Sequence, residues 1–501
     1  MSKVLLIKPK FDSGLSNLVC EIPLGLEYIA AAIESNVSHI SIIDLSHSKV
    51  DLKKEIHQIK PDIIGITCQY AWHNEIVRTA RTCRKTRPES IIVAGGYYPS
   101  LFPGLLDFIP ELDYIVKGEG EQTFLEICNI GLEYPYKVKG IYFRENGKIK
   151  LSGERPPIQN LDSLKFPARK FRDSYYTHLQ MPGRYYDSIS TTRGCNGRCS
   201  FCCEPEMYGH ARQRSPENII QEIDEIVRFH QNSPLTITCT DPNFLGRRKA
   251  DIIRIKKLCE LLEERQYDLS FSTLVRADTI TRNPELIHRM VKNGFNFFEV
   301  GVETPDKMIL RNTKKGQSIK TVYKAIKIIT QAGGFPLGTL MLGFSGQTEA
   351  QIRQYPVYAA EVLGVKEAAF VFATPIVGTS FFKEVQHLIF ENNLARFNYL
   401  HPTLRFNPQI SVNRMYFLLG YCYGGFFTPR LMRENDEFYE RLIPNKAENP
   451  VFTYIKFGLK SLGEFPNKAK LAFIQGAITG YFASRKYREM IENEKVSSNR
   501  S

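Results

Sequence analysis

The chain has 501 residues, enough for about three domains. Its 43% hydrophobic and 24% charged content excludes a disordered or fibrous protein. A net charge of +13 admits nucleic acid, an anionic membrane surface or an acidic substrate, but no five or six Lys/Arg run together, so nucleic acid is not expected.

Residues 1–135 alternate strand and helix signals. Val4–Ile7 is a short apolar run broken by Lys8 and Pro9, too short for a signal peptide. A helical pattern follows over Pro23–Ile33, then strands at His39–Leu45, Asp62–Thr67, Ser90–Ala94 and Tyr114–Val116, with helices over Leu52–Ile59 and about Asn74–Lys85. Such alternation predicts a parallel sheet covered on both faces, a Rossmann-like (flavodoxin-like) domain binding ligands beyond its strand ends. No G-x-G-x-x-G follows the first strand, so a dinucleotide is not expected. Residues 136–184 hold a strand at Gly140–Phe143, a turn at Glu145-Asn146-Gly147 and several prolines, which reads as a linker.

The α/β rhythm resumes over 185–385. A strand from Tyr185 to Ser190 runs into Thr191-Thr192-Arg193-Gly194-Cys195-Asn196-Gly197-Arg198-Cys199-Ser200-Phe201-Cys202-Cys203. Thiolates at C-x3-C-x2-C spacing select iron–sulfur clusters, zinc or copper(I). A structural zinc site needs a second ligand pair, and none follows: Cys239, Cys259 and Cys422 are isolated and His210 is alone. A full cluster takes four cysteines, so three leave one iron open for chemistry. Eleven cysteines without a disulfide framework point to a reducing cytoplasm.

This spacing, with Phe201 before the last cysteine, resembles the radical S-adenosylmethionine (radical SAM) superfamily. The resemblance implies a [4Fe-4S] cluster on Cys195, Cys199 and Cys202, with S-adenosylmethionine on the open iron and Phe201 beside it. It implies a partial (β/α)6 TIM-like barrel whose strand ends carry the cofactor. Arg276 and Glu303 would meet the cofactor's carboxylate or ribose, and Gly338, Gly343 and Phe344 its adenine. An ordinary rim ion pair and plain turns are the structural alternatives for these residues.

Pro23-Leu24-Gly25-Leu26, Gly95-Gly96 and Lys117-Gly118-Glu119-Gly120-Glu121 resemble the cobalamin-binding domain that precedes the radical domain in one large class. The corrin would then meet Thr67, Tyr70, Trp72, Gly95, Gly96, Gly118 and Glu119, although Trp72 could equally close a domain interface. The Asp-x-His-x-x-Gly motif is absent after the first strand, and Asp44-Leu45-Ser46-His47 reads as a strand end with a helix cap.

Residues 386–501 are expected to form a mainly helical substrate or lid region. An apolar stripe runs from Val451 to Leu462. Two uncharged runs, Met415–Thr428 and Leu471–Ser484, fall short of the roughly 20 residues that span a bilayer. Lys468, Lys470, Arg485, Lys486 and Arg488 flank the second, which suits packing on the barrel, a lid or membrane-surface contact. The resemblance implies an enzyme of the cytoplasm or its membrane surface, reduced by an electron donor such as flavodoxin or ferredoxin. It would be a cobalamin-dependent C-methyltransferase acting on a lipophilic molecule of the tetrapyrrole or hopanoid kind, or alternatively an oxidative cyclase of a porphyrin ester. A methylthiotransferase and a non-catalytic iron–sulfur sensor are the readings from other classes. The former would need three more cluster cysteines, and Cys20, Cys68 and Cys83 have the wrong spacing for it.

Overall fold

A computed structural model describes residues 1–10, 22–48, 50–172, 180, 181, 183–433 and 467–498. Cys20 and the Val451–Leu462 stripe lie outside the described residues.

The first sheet contains β1 (Lys3–Lys8), β2 (His39–Asp44), β3 (Ile63–Thr67), β4 (Ile91–Gly95), β5 (Tyr114–Val116), β6 (Ile141–Glu145) and β7 (Lys148–Leu151). Its order is β2-β1-β3-β4-β5-β6-β7, parallel through β5. Strand order reverses at β1, the switch point at which such sheets take ligands. Along β1, Val4 and Leu6 pack on one face and Leu5 and Ile7 on the other, as a doubly covered parallel sheet requires. Helix α1 (Leu24–Ile33) lies beside the Glu121–Ile130 helix, and α2 (Leu52–Ile59) lies beside α3 (His73–Thr86). The hairpin read as part of a linker widens this sheet instead: β6 pairs antiparallel with β5, and β7 with β6. Asp44 ends β2 in an ion pair with Lys8 at 3.0 Å and accepts the Ser46 N–H at 2.8 Å, a strand end as expected; a turn follows it, and the helix cap belongs to Asp51, which opens α2.

The second sheet contains β8 (Gln180–Met181), β9 (Arg184–Ile189), β12 (Leu235–Cys239), β13 (Leu269–Val275), β14 (Phe295–Glu303), β15 (Phe335–Leu342) and β16 (Glu367–Phe372). Its order is β16-β15-β14-β13-β12-β9-β8. The six parallel strands, β9 and β12–β16, curl into the expected half-barrel, and β8 is antiparallel at the edge. A two-stranded ribbon, β10 (Thr192–Arg193) with β11 (Arg212–Gln213), brackets the cysteine loop.

The C-terminal region is helical among the described residues. Its Val412–Arg433 and Asn467–Ser498 helices meet through glycines. A Cβ on Gly420 or Gly424 would lie 2.0 Å from a carbonyl oxygen of Phe473 or Ala477, so only glycine admits this approach. Among the described residues, no helix is long and apolar enough to cross a membrane.

The two sheets are held together by a dry contact and by buried charge. Ile376 and Phe397, from beyond β16, are buried in the first sheet's core next to Trp72. Arg172 bridges Glu27 of α1 to Asp187 of β9, and all three side chains are 0% exposed.

Candidate active site

The cysteine loop begins where β9 ends, and a buried carboxylate pins its entry. Asp241, just past β12, accepts the Thr191 N–H and hydroxyl at 2.7 Å each and the Thr192 hydroxyl at 3.1 Å. Burial raises the Asp241 pKa, and Arg254 and these hydrogen bonds oppose the rise. Gly194 follows at φ +76°, and a Cβ there would stand 2.8 Å from the His210 carbonyl, so glycine alone fits. Beyond the turn, Ser200 N–H donates to Thr313 O at 2.9 Å and Phe381 N–H to Ser200 O at 2.8 Å, fixing the loop to two barrel elements.

Within the loop, two of the sulfurs and a guanidinium converge on Gly197. A Cβ placed on Gly197 would sit 3.3 Å from Cys195 Sγ, 3.8 Å from Cys199 Sγ and 3.5 Å from Arg276 Nη1. Burial raises the Cys202 thiol pKa, and the neighbouring Cys199 adds to the rise. No three His, Cys, Asp or Glu among the described residues converge tightly enough for a single metal ion. A four-iron cluster asks for less convergence, because each thiolate meets a different iron. Three soft donors on one short loop beside Arg276 suit such a cluster.

Cations converge on the same spot. Burial raises the Cys199 thiol pKa, while Lys315 and Arg276 pull it down and so favour thiolate. Arg276 Nη1 lies 3.9 Å from Cys199 Sγ, and its Nε donates to Asp278 Oδ1 at 2.9 Å. Lys315 donates to the Gly301 carbonyl at 2.9 Å and forms a buried ion pair with Glu303. Glu303 adopts a left-handed φ of +66°, strain of a kind that accumulates at functional sites. Gly301 leaves room for this pair, since a Cβ there would lie 1.9 Å from Lys315 Nζ and displace the lysine. Cys195, Cys199, Arg276 and Glu303 are thus brought together, and Lys315 and Gly301 join them unannounced by the sequence reading.

The remaining barrel residues divide. Phe201 is half-buried against the barrel core, and Phe344 is buried edge-on to Phe381 with ring centroids 6.0 Å apart. Gly343 has φ +88° and sits under Phe406, 3.0 Å from where its Cβ would be. Gly338 faces the other way: a Cβ there would meet Val365 at 3.2 Å and Val302 at 3.3 Å, in the packing beneath the helices. The concave face instead carries Phe297, Glu299, Leu337 and Glu367, the half-buried alternates of β14–β16.

On the first domain, Gly96 closes β4 at φ +105°, and a Cβ would come within 2.9 Å of Cys68 O and 3.6 Å of Thr67 Oγ1. Gly95 leaves its surroundings open, with Val116 3.9 Å from a built Cβ. Tyr70 stacks against Tyr98 at 4.1 Å, and its buried hydroxyl has no partner among the described residues. Trp72 is 3% exposed in the core shared with Phe397, so it closes the interface between the two sheets. Gly118, at φ +75°, donates its N–H to Ser100 Oγ at 3.0 Å and borders a 270 Å³ cavity facing the Glu204–Tyr208 helix. The Glu119 carboxylate is committed to Arg193 and Arg212, each at 2.8 Å, and so locks the first domain to the ribbon beside the cysteines. Tyr97 donates its hydroxyl to Glu204, directly after Cys203, in a second link. Burial raises the Glu204 pKa, and one carboxylate oxygen has no partner among the described residues. Open strand ends with an unpaired buried hydroxyl suit a large flat ligand facing the cysteine loop.

Residues 189–355 match the radical SAM superfamily, and residues 17–128 match the B12 binding domain. The chain is 27% identical over 419 residues to an uncharacterized methyltransferase of Pyrococcus horikoshii, covering 80% of this chain and 88% of the relative. It is 23% identical over 415 residues to an anaerobic magnesium-protoporphyrin IX monomethyl ester cyclase of Rubrivivax gelatinosus, covering 80% and 73%. It is 27% identical over 321 residues to the hopanoid C-3 methylase of Methylococcus capsulatus, covering 62% and 59%. The fold is that of the cobalamin-dependent S-adenosylmethionine radical enzyme OxsB, with TM-score 0.70 and 16% identity, covering 99% of this chain and 81% of that one. The chain thus carries a radical SAM domain and a B12-binding domain, and is related in sequence to methyltransferases, hopanoid methylases and anaerobic cyclases.

Proposed function

We propose that this chain is a cobalamin-dependent radical SAM C-methyltransferase that methylates an unactivated carbon of a lipophilic substrate. The observation that carries the reading is the convergence of the cysteine loop on Arg276, Lys315 and Glu303, directly opposite the first domain's strand ends. When bound, the cluster and S-adenosylmethionine supply a radical that takes hydrogen from carbon, and cobalamin supplies the methyl group. Cys195, Cys199 and Cys202 would hold the cluster. Arg276 and Lys315 provide fixed positive charge for a carboxylate beside it, and Glu303 accepts from an amine or ribose hydroxyl. Thr67, Tyr70, Gly95, Gly96 and Gly118 border the corrin, while Glu119 and Trp72 hold the two domains in register. Phe344 and Gly343 border the nucleoside side of the cofactor.

The division into a cobalamin domain, a linker, a barrel over 185–385 and a helical region from 386 is part of this proposal, with the first sheet running on to Leu151. Phe297, Leu337 and Val371 on the concave face favour an apolar substrate, as do the hopanoid and porphyrin relatives. The Asn467–Ser498 helix exposes Leu471, Ile478 and Phe482 along one stripe, which favours contact with a membrane surface from which such a substrate is drawn. Cyclisation is the second reading, favoured by the porphyrin ester cyclase relative.

Anaerobic reconstitution tests the reading. One cluster, bound cobalamin and reductant-dependent 5′-deoxyadenosine are expected, and Cys199→Ala should abolish 5′-deoxyadenosine while cobalamin stays bound. Cleavage that persists in this variant removes Cys199 from the ligand set. Mass spectrometry of lipids and pigments from a deletion strain separates a missing methyl from a missing ring.

A further inference from the structure

The first domain has a second concavity, distinct from its strand ends. A groove of about 880 Å³ runs between α2 and α3, and its lining carries cationic side chains and no carboxylate. Lys53 comes from α2, and Arg78, Arg81 and Lys85 from successive turns of α3. Glu75 and Glu111 pair with Arg78 and Arg81 from behind, at 2.8 and 3.2 Å, yet these arginine side chains remain 70% and 58% exposed. Positive charge therefore faces outward along the groove.

The inner end of the groove leads toward the cysteines. His73 lines it and meets the Tyr98 hydroxyl through Nδ1 at 2.9 Å. Tyr98 packs on Tyr70 at 4.1 Å between ring centroids, and Cys203, the neighbour of Cys202, packs against the same apolar cluster. A packed row of side chains thus joins an exposed cationic groove to the loop that would carry the cluster.

We propose that this groove docks an acidic protein that delivers single electrons from a flavin or iron–sulfur centre. The proposal rests on the functional reading above, in which the cluster is reduced by one electron while the donor's centre is oxidised by one. Complementary charge acts mainly on the rate of encounter, so its signature is a salt-dependent turnover rate.

The test uses the reconstituted full-length chain with two reductants: flavodoxin with its NADPH-dependent reductase, and reduced methyl viologen, a small cation that needs no docking surface. In Lys53→Glu/Lys85→Glu, flavodoxin-driven 5′-deoxyadenosine formation should fall about tenfold or more at low salt, within the usual range for electrostatic steering. The viologen-driven rate should stay within about twofold, and the salt dependence of the flavodoxin-driven rate should flatten. An unchanged flavodoxin-driven rate overturns the proposal, as does an equal loss with both reductants, which would mark the lysines as structural. A wild-type chain that forms no 5′-deoxyadenosine with methyl viologen overturns the functional reading, and this proposal with it. The single variants Lys53→Gln and Lys85→Gln, each with a quarter of the double variant's charge change, should fall between wild type and the double variant.

Discussion

Replacing Arg172 with methionine should destabilise the protein by about 3–5 kcal/mol, the cost of breaking a buried ion pair from one side. The guanidinium donates to Glu27 at 2.6 and 2.9 Å and to Asp187 at 2.9 and 3.1 Å, with no solvent to take its place. Asp187 keeps Arg169 at 3.3 Å and His230 at 2.9 Å, whereas Glu27 has no second ion-pair partner among the described residues. Most of the penalty is therefore the stranded Glu27 carboxylate. Removing it as well, in Arg172→Met/Glu27→Met, should recover about 2 kcal/mol, because a buried pair replaced by apolar groups costs little. Urea unfolding followed by Trp72 fluorescence and by far-ultraviolet circular dichroism would measure both, since Trp72 reports on the core where the domains meet. Burial alone would raise the Asp187 pKa, but Arg169 and Arg172 hold it well below the carboxylate range. A depressed carboxylate stabilises the fold above its unfolded pKa of about 4 and loses that contribution as pH falls, so the penalty of Arg172→Met should shrink in acid. A double variant no more stable than the single one would refute the stranded-charge account.

Two further substitutions probe the site. Gly197→Ala places a methyl 3.3 Å from Cys195 Sγ in ordinary backbone geometry, so iron bound per chain after reconstitution should drop by about half or more while the circular dichroism spectrum is retained. Burial, with Glu299 adding to it, pushes the Glu367 pKa up to about 7. A raised carboxyl binds its proton more tightly when folded, so stability declines as pH rises from about 4 toward 7; Glu367→Gln should gain about 2 kcal/mol at pH 8 and little at pH 4, read from melting temperatures.

The chemistry of the site was legible where it is local. Three cysteines in eight residues, and Arg276 and Glu303 at the ends of β13 and β14, are matters of spacing and strand period. Gly338 shares the face of Leu340 and Leu342, so the strand period alone places its α-carbon toward the packing under the helices. Lys315 was invisible for the opposite reason: it lies on the segment after the Lys307–Asn312 helix, and only the fold returns it to Glu303 and Gly301. The β6–β7 hairpin was seen as strand and turn, but no local rule says which sheet a hairpin will join.

The links between the domains were the least legible, since Glu27 and Arg172 are 145 residues apart. Their chemistry nevertheless bears on function. An apolar contact tolerates sliding, whereas a guanidinium fork between two carboxylates is satisfied in one alignment only. Arg172 on Glu27 and Asp187, Arg193 on Glu119 and Glu121, and Arg212 on Glu119 all clamp the first domain to strands or ribbon that flank the cysteine loop. Apolar residues could have made that seam as stable or more so. Their replacement by charge is accounted for if the spacing between corrin and cluster matters more than the free energy of the seam. On that account the double variant Arg172→Met/Glu27→Met, although only about 1–3 kcal/mol less stable than wild type, should lose 5′-deoxyadenosine-coupled product formation before it loses either cofactor.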